Sequence, residues 1–268
     1  MIDRKIGKYS FTILGCGSSG GVPRLTDGWG VCDPKNSKNY RLRCSLLVKF
    51  KSEIGETKLL IDTSPDLRQQ LLTAKVDNLD GVIFTHAHAD HMHGIDDLRM
   101  IFFKRRSMLP VWADYNTSIR IRESFEYLVK QKNGTKYPPI LLLNEIKETF
   151  SVKGINDEIL VEPLFVKHGD INALGFKIGS AAYIPDISEF YESSWERVKN
   201  LDILIVDALR RAPHPNHSHL EKTLDWIDKL KPKKAYLTNM HNDLDYDTIS
   251  KETPKNVFPA FDGLTLSL

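Results

Sequence analysis

The feature that most narrows what this chain can become is a histidine run placed directly after an apolar segment. Thr85-His86-Ala87-His88-Ala89-Asp90-His91-Met92-His93 follows Gly81-Val82-Ile83-Phe84. Side chains leaving a strand alternate with a period of two, so His86 and His88 point the same way. Asp90 and His91 fall where the chain turns into the next helix. Two imidazoles then hold one metal ion, while the carboxylate and the third imidazole hold a second nearby. That donor set suits zinc, manganese or iron, and the intervening alanines keep the turn uncrowded. The competing reading, a polar loop that happens to be rich in histidine, has to explain a match at six positions rather than at one.

Around this run, short segments rich in β-branched and aromatic residues recur, each followed by turn or helix signals. Strands are expected at Ser10–Leu14, Cys44–Phe50, Lys58–Asp62, Gly81–Thr85 and Pro110–Trp112. In the second half they are expected at Ile159–Val166, Ala173–Ile178, Ala181–Ile184, Asp202–Val206, Lys234–Thr238 and Leu264–Leu266. Helices are expected at Pro65–Ala74, Ile95–Phe103, Thr117–Gln131, Ile187–Lys199 and His219–Leu230. Pro65 suits a first helical turn, where its missing N–H costs nothing, and Ser218 or Asn216 is placed to cap the last helix. Strands with interspersed helices in two comparable halves predict an α/β fold with two sheets face to face and helices outside. No short-period repeat, low-complexity tract or linker interrupts the sequence, so residues 1–268 are read as a single domain.

Composition bounds the function. A chain of 268 residues can bury a substantial core. Its 37 basic and 35 acidic residues leave a net charge of +2, too balanced for a surface that grips long nucleic acid or an anionic membrane. An anionic ligand must be met by local charge. No segment has the ~20 unbroken apolar residues of a membrane span, and the N-terminal MIDRKIGKYS lacks the apolar stretch of a secretion signal. Cys16, Cys32 and Cys44 are odd in number and lack CxxC spacing, which argues against a disulfide framework and for a cytoplasmic location.

The quoted run resembles the HxHxDH hallmark of the metallo-β-lactamase-fold hydrolases, and the resemblance extends over nearly the whole chain. FTILGCGSSGGVPR, LLIDTSPDLRQQL, FTHAHADHMHGIDDLR and YLTNMHNDLDY look most like the phosphoribosyl cyclic phosphate phosphodiesterase branch. The resemblance implies a four-layer αββα sandwich and two divalent ions, zinc or manganese. It implies that His168 is the third imidazole of the first ion and that Asp186 is the carboxylate bridging both. It also implies that His217 contacts phosphate and gives a proton to the leaving oxygen. Asp90 is counted with His217 as catalytic, as well as with His86, His88 and His91 as a ligand. His219 is an alternative proton donor, His214 is assigned to the surface, and His93 lies outside the ligand set. Asp207 and Asp62 are expected either to orient a histidine or to cap a turn.

The chain departs from these relatives at two places. Where they read Leu-Thr-His, it reads Leu237-Thr238-Asn239-Met240-His241. If the strand continues, Asn239 and His241 face the same side, and His241, the better donor, is favoured as the last ligand of the second ion. Their N-terminal cysteine cluster, which binds a structural zinc, is reduced to Cys32, so that zinc is expected to be absent and transfer of their substrate is weakened.

The expected activity is hydrolysis of a small phosphodiester, a cyclic sugar phosphate or a nucleotide-like molecule, by a hydroxide bridging two metals. Two alternatives stand beside it: a nucleotide- or metal-binding scaffold without turnover, and an RNA-processing nuclease of the same fold. The long basic, glycine-rich arm with which such nucleases grip RNA is not found. A homodimer is compatible with the sequence. Gly15-Cys16-Gly17-Ser18-Ser19-Gly20 matches GxGxxG and, around Ser19, GxSxG, yet Val22-Pro23-Arg24 is poor material for the helix either motif requires. The glycines are better read as permitting a tight backbone, with Ser18 or Ser19 near phosphate.

Overall fold

The structure, a computed structural model, describes residues 7–131, 134 and 136–268. The first six residues of the N-terminal segment discussed above lie outside it. In chain order the elements are β1 (Gly7–Gly15), β2 (Ser45–Ser52), β3 (Glu56–Ile61), α1 (Leu67–Thr73), β4 (Gly81–Ile83), α2 (Ala89–Met92), α3 (Leu98–Arg105), β5 (Leu109–Ala113), α4 (Tyr115–Ser124), α5 (Glu126–Val129), β6 (Leu141–Glu145) and β7 (Phe150–Lys153). They continue with β8 (Glu158–His168), β9 (Ile171–Ile178), β10 (Ala181–Ile184), β11 (Glu189–Phe190), α6 (Glu192–Arg197), β12 (Ile203–Asp207), α7 (Leu220–Leu230), β13 (Lys234–Thr238), α8 (Tyr246–Glu252), β14 (Val257–Pro259) and β15 (Thr265–Ser267). The described residues group into two compact units, one of residues 7–12, 45–161 and 265–268, the other of residues 13–44 and 162–264.

The first unit is built on a sheet of order β15-β1-β2-β3-β4-β5-β6. β2 and β3 form an antiparallel pair, and β3, β4, β5 and β6 run parallel. β4 is buried along its whole length, as a strand covered on both faces should be. That explains why Gly81-Val82-Ile83-Phe84 reads as an unbroken apolar run. Parallel strands leave their loops at the carboxyl edge, where binding residues of such sheets collect. The histidine run emerges from β4 at that edge.

The second unit carries the order β11-β8-β9-β10-β12-β13-β14. β8, β9 and β10 are successively antiparallel, whereas β10, β12, β13 and β14 are parallel. β10 and β12 are wholly buried. Register pairs Ile184 with Val206 and Asp207 with Thr238. The carboxyl ends of β10, β12 and β13 therefore lie side by side, and this places Asp186, Asp207 and Asn239 together.

Some boundaries differ from those expected. The helix expected at Thr117–Gln131 breaks at Phe125, whose φ of −132° and ψ of 35° are not helical. In the helix expected at Ile187–Lys199, Glu189 and Phe190 instead pair with Lys167 and Val166, and the helix begins at Glu192. Asp66, after Pro65, is the N-cap of α1, and α7 starts from His219 without a side-chain cap. β6, β7, β11, β14 and α8 have no counterpart among the expected elements; they are short, and the strands among them have too few residues to show a period. Among the described residues, no helix is long and apolar enough to cross a membrane.

Candidate metal centre

In the first unit the histidine run is organised by Asp62, just beyond β3. Asp62 is fully buried and adopts a left-handed backbone, φ 63°. Its carboxylate accepts from Thr85 N at 2.8 Å, from the Thr85 hydroxyl at 2.8 Å and from His91 Nδ1 at 2.8 Å. Burial pushes its carboxyl up from the ordinary range, and the His91 imidazole opposes that shift. The single Thr85 hydroxyl proton is spent on Asp62, so Thr85 Oγ1 accepts from His86 Nδ1 at 3.0 Å. In their neutral form both imidazoles therefore carry the lone pair on Nε2. Their rings lie 4.4 Å apart between centroids, and those of His86 and His88 lie 4.5 Å apart, edge to face.

The loop is held from behind. Thr63 N donates to His91 O at 2.8 Å, the Thr63 hydroxyl to Met92 O at 2.9 Å, and Gly94 N to Thr63 O at 2.9 Å. A β-carbon on Gly94 would stand 2.0 Å from Ser64 O, so only glycine permits this approach. His88 is exposed and opens α2, while Asp90 and His91 lie within it. His91 Nε2 faces Asp90 Oδ2 at 3.5 Å.

In the second unit His168 ends β8, nearly fully buried. Its Nδ1 donates to Asn216 O at 2.7 Å; a carbonyl can only accept, so in the neutral ring Nε2 again carries the lone pair. Gly169, φ 61°, makes this contact possible, because a β-carbon there would meet Asn216 Oδ1 at 2.2 Å. His168 Nε2 faces Asp186 Oδ2 at 3.5 Å.

His217 Nδ1 donates to Asp207 Oδ2 at 2.9 Å and lies 3.9 Å from Asp186 Oδ2. Its ring meets that of His168 edge to face at 4.6 Å. Asp207 is fully buried, and that burial pushes its pKa up to about 7 even though His217 draws it down. It also accepts from Ile187 N at 3.1 Å. Asp62 and Asp207 thus each orient a histidine, the first of the two roles expected for them.

These contacts test whether the residues fit divalent ions. His91–Asp90 and His168–Asp186 each set an imidazole lone pair against a carboxylate oxygen. Two acceptors at such a distance need a proton or a cation between them. With the outward Nδ1–H groups bonded to oxygen in the manner of metal-ligating histidines, the donor set fits a divalent cation.

His241 occupies a different setting from the one expected. β13 ends at Thr238, and Asn239 has φ 60°, left-handed, so period-two alternation does not carry through to His241. The His241 ring is held by Arg24, whose Nη1 lies 2.9 Å from Nδ1 and 3.1 Å from Nε2. Burial, with Arg24 adding to it, lowers its pKa to about 4. Asn239, not His241, sits beside Asp186, with Nδ2 3.3 Å from Oδ1.

Of the remaining candidates, His93 is exposed with its ring against Phe125, the His214 ring lies tilted against that of His217 at 5.1 Å, and His219 opens α7. Ser18 is buried and its N–H donates to Met240 O, while Ser19 is exposed.

Residues 57–240 match the family described as beta-lactamase superfamily domain. A protein of Porphyromonas gingivalis named octanoyltransferase is 34% identical over 254 residues, which cover 94% of this chain and 50% of that protein. This chain therefore spans half the length of that relative. Among solved structures, one described as a new diphosphatase from the PhnP family is 31% identical, with 98% of each chain covered and a TM-score of 0.87. The metallo-beta-lactamase fold protein YhfI from Bacillus subtilis is 18% identical, with 98% of this chain and 100% of that one covered and a TM-score of 0.71. With two sheets, interspersed helices and a histidine run at a strand end, the chain has the metallo-β-lactamase fold and belongs to the beta-lactamase superfamily of hydrolases.

Proposed function

We propose that this chain is a two-metal-dependent phosphodiesterase acting on a small phosphodiester, a cyclic sugar phosphate or a nucleotide-like molecule. The observation that carries the reading is the face-to-face placement of imidazole nitrogens and carboxylate oxygens, His168 Nε2 with Asp186 Oδ2 and His91 Nε2 with Asp90 Oδ2, both at 3.5 Å. His168 and Asp186 would hold one ion and Asp90 and His91 the other, with His86 and His88 as further imidazole donors. Bound divalent ions supply positive charge for the phosphoryl oxygens and make water acidic enough to attack at neutral pH.

The remaining work falls to His217 and Asp207. Asp207 takes the Nδ1 proton of His217 as a hydrogen bond and fixes the ring, so Nε2 is the atom that passes a proton to the departing oxygen. The His217 side chain is 16% exposed, enough to meet a ligand, whereas Asp207 is fully buried and acts only through it. The likeness to a diphosphatase over nearly the full length of both chains supports phosphorus–oxygen chemistry, and the balanced charge of the chain favours a small substrate over long nucleic acid.

The test is metal analysis joined to an assay panel of cyclic nucleotides, cyclic ribose phosphates and aryl phosphodiesters. An octanoyl thioester belongs in the panel because of the name carried by the Porphyromonas gingivalis relative. Metal-dependent turnover of a phosphodiester, lost in His217→Ala with the metal retained, supports the reading. Turnover confined to the thioester, or none with metal bound, would sink it.

A further inference from the structure

The resemblance implies a histidine where Asn239 stands, and the contacts of Asn239 show what this chain has there instead. The side chain is 2% exposed. Nδ2 lies 3.3 Å from Asp186 Oδ1, 3.3 Å from Asp207 Oδ1 and 3.2 Å from His217 Nδ1. His217 Nδ1 already donates to Asp207 Oδ2, so it does not accept from Asn239. Two amide hydrogens remain for two carboxylates, and the count closes. The carboxylates also orient the amide, since only its NH2 side can donate to them.

An amide nitrogen in this role has no lone pair for a metal. Asp186, meanwhile, is divided: Oδ2 faces the His168 imidazole at 3.5 Å, whereas Oδ1 accepts from Asn239. A second ion reaching Asp186 would have to share Oδ1 with an N–H and would gain no imidazole from the end of β13. His241, the nearest other imidazole on that segment, is held by Arg24.

We propose that Asn239 is a neutral clamp joining Asp186 and Asp207, not a metal ligand, and that the chain consequently holds its two ions unequally. The ion bound at His168 and Asp186 is tight; the one bound at Asp90 and His91 exchanges readily. The inference rests on the two-ion reading above.

The experiment loads the full chain with excess Mn²⁺ or Zn²⁺, desalts it, measures the metal-to-protein ratio, and titrates the metal into chelator-stripped protein by calorimetry. The unaltered chain is expected to retain one ion and to bind another about tenfold or more weakly, within the range that altered ligand surroundings produce. Asn239→His, a residue that tolerates a left-handed backbone, is expected to retain two. Asn239→Ala, which removes the clamp without adding a donor, is expected to retain no more than one. Should Asn239→His fail to fold by circular dichroism, Asn239→Asp replaces it: a third carboxylate there should lower the melting temperature of the stripped protein and enlarge the metal-induced rise. Two equally tight ions in the unaltered chain would overturn the clamp and leave the two-ion reading standing. No bound ion in either measurement would overturn both.

Discussion

His168 and Asp186 face each other with acceptor atoms 3.5 Å apart, Nε2 against Oδ2, while the opposite ring nitrogen is tied to a backbone carbonyl 2.7 Å away. A buried pair of this kind needs positive charge between its members. Register produces the arrangement: β8 ends at His168, β10 ends just before Asp186, and Gly169 leaves room for the side chain of Asn216, whose backbone carbonyl fixes the imidazole.

From that relationship, His168→Ala should weaken binding of the tighter ion about 100-fold or more, since altering even the partners that merely orient ligands costs 10–100-fold. Calorimetric titration of chelator-stripped protein measures the change directly. Unaltered affinity with the fold intact would remove His168 from the ligand set.

His217 and Asp207 divide their work differently, and kinetics can separate them. His217→Ala is expected to lower kcat by about 10²–10⁴, the usual contribution of a positioned proton donor, and to leave the metal content unchanged. The loss should shrink for a nitrophenyl leaving group, which departs without a proton. Asp207→Asn should show the same leaving-group dependence with a smaller loss, because it disturbs the ring's orientation rather than removing the donor. An equal loss for good and poor leaving groups would point to a positioning role for His217.

Much of this centre was legible in the sequence because its parts lie where strands end. The run from His86 to His91 follows an apolar strand, and the order of His168 and Asp186 along the chain matched the resembled family. What failed was the extension of strand geometry past β13. Alternation assumes an extended backbone, and Asn239 is left-handed, a conformation that asparagine tolerates better than most residues but that its identity alone does not announce. The segment at Glu189 and Phe190 misled for a related reason. Its pairing with β8 is a tertiary decision over two residues, too few to leave a period, whereas the helix that follows at Glu192 was visible.

Asp62 offers a test of the support beneath the histidine run. It receives three hydrogen bonds while fully buried, from Thr85 N, the Thr85 hydroxyl and His91 Nδ1. Asp62→Ala strands those donors and places alanine at φ 63°, so a stability loss of about 1–3 kcal/mol is expected for each buried donor left unsatisfied. Asp62→Asn keeps the size and the backbone preference but brings an NH2 group against Thr85 or His91. It is expected to weaken the ion held by His91 about 10–100-fold while costing less stability than alanine. Urea unfolding and metal titration of both variants read the two effects separately. An Asp62→Ala protein as stable as the parent would show that these donors find water instead.

Asp262 carries a pH dependence that stands apart from the histidines. Its carboxylate accepts from Leu42 N at 2.7 Å, Cys16 N at 3.1 Å and Cys16 Sγ at 3.4 Å, and burial nevertheless pushes its pKa up to about 7 from the ordinary 3.8. A carboxyl raised in the folded state binds its proton more tightly there than in the unfolded chain. The stability it contributes is fully present below pH ~4 and is lost as pH rises through ~7. Other carboxylates impose their own acid dependence, so the informative quantity is the difference between the parent and Asp262→Asn, which cannot titrate. The stability of the parent relative to the variant is expected to fall steadily between pH 4 and pH 8, measured by urea unfolding of metal-stripped protein. A constant difference across that range would mean that the backbone N–H groups of Leu42 and Cys16 stabilise the carboxylate enough to cancel the cost of its burial.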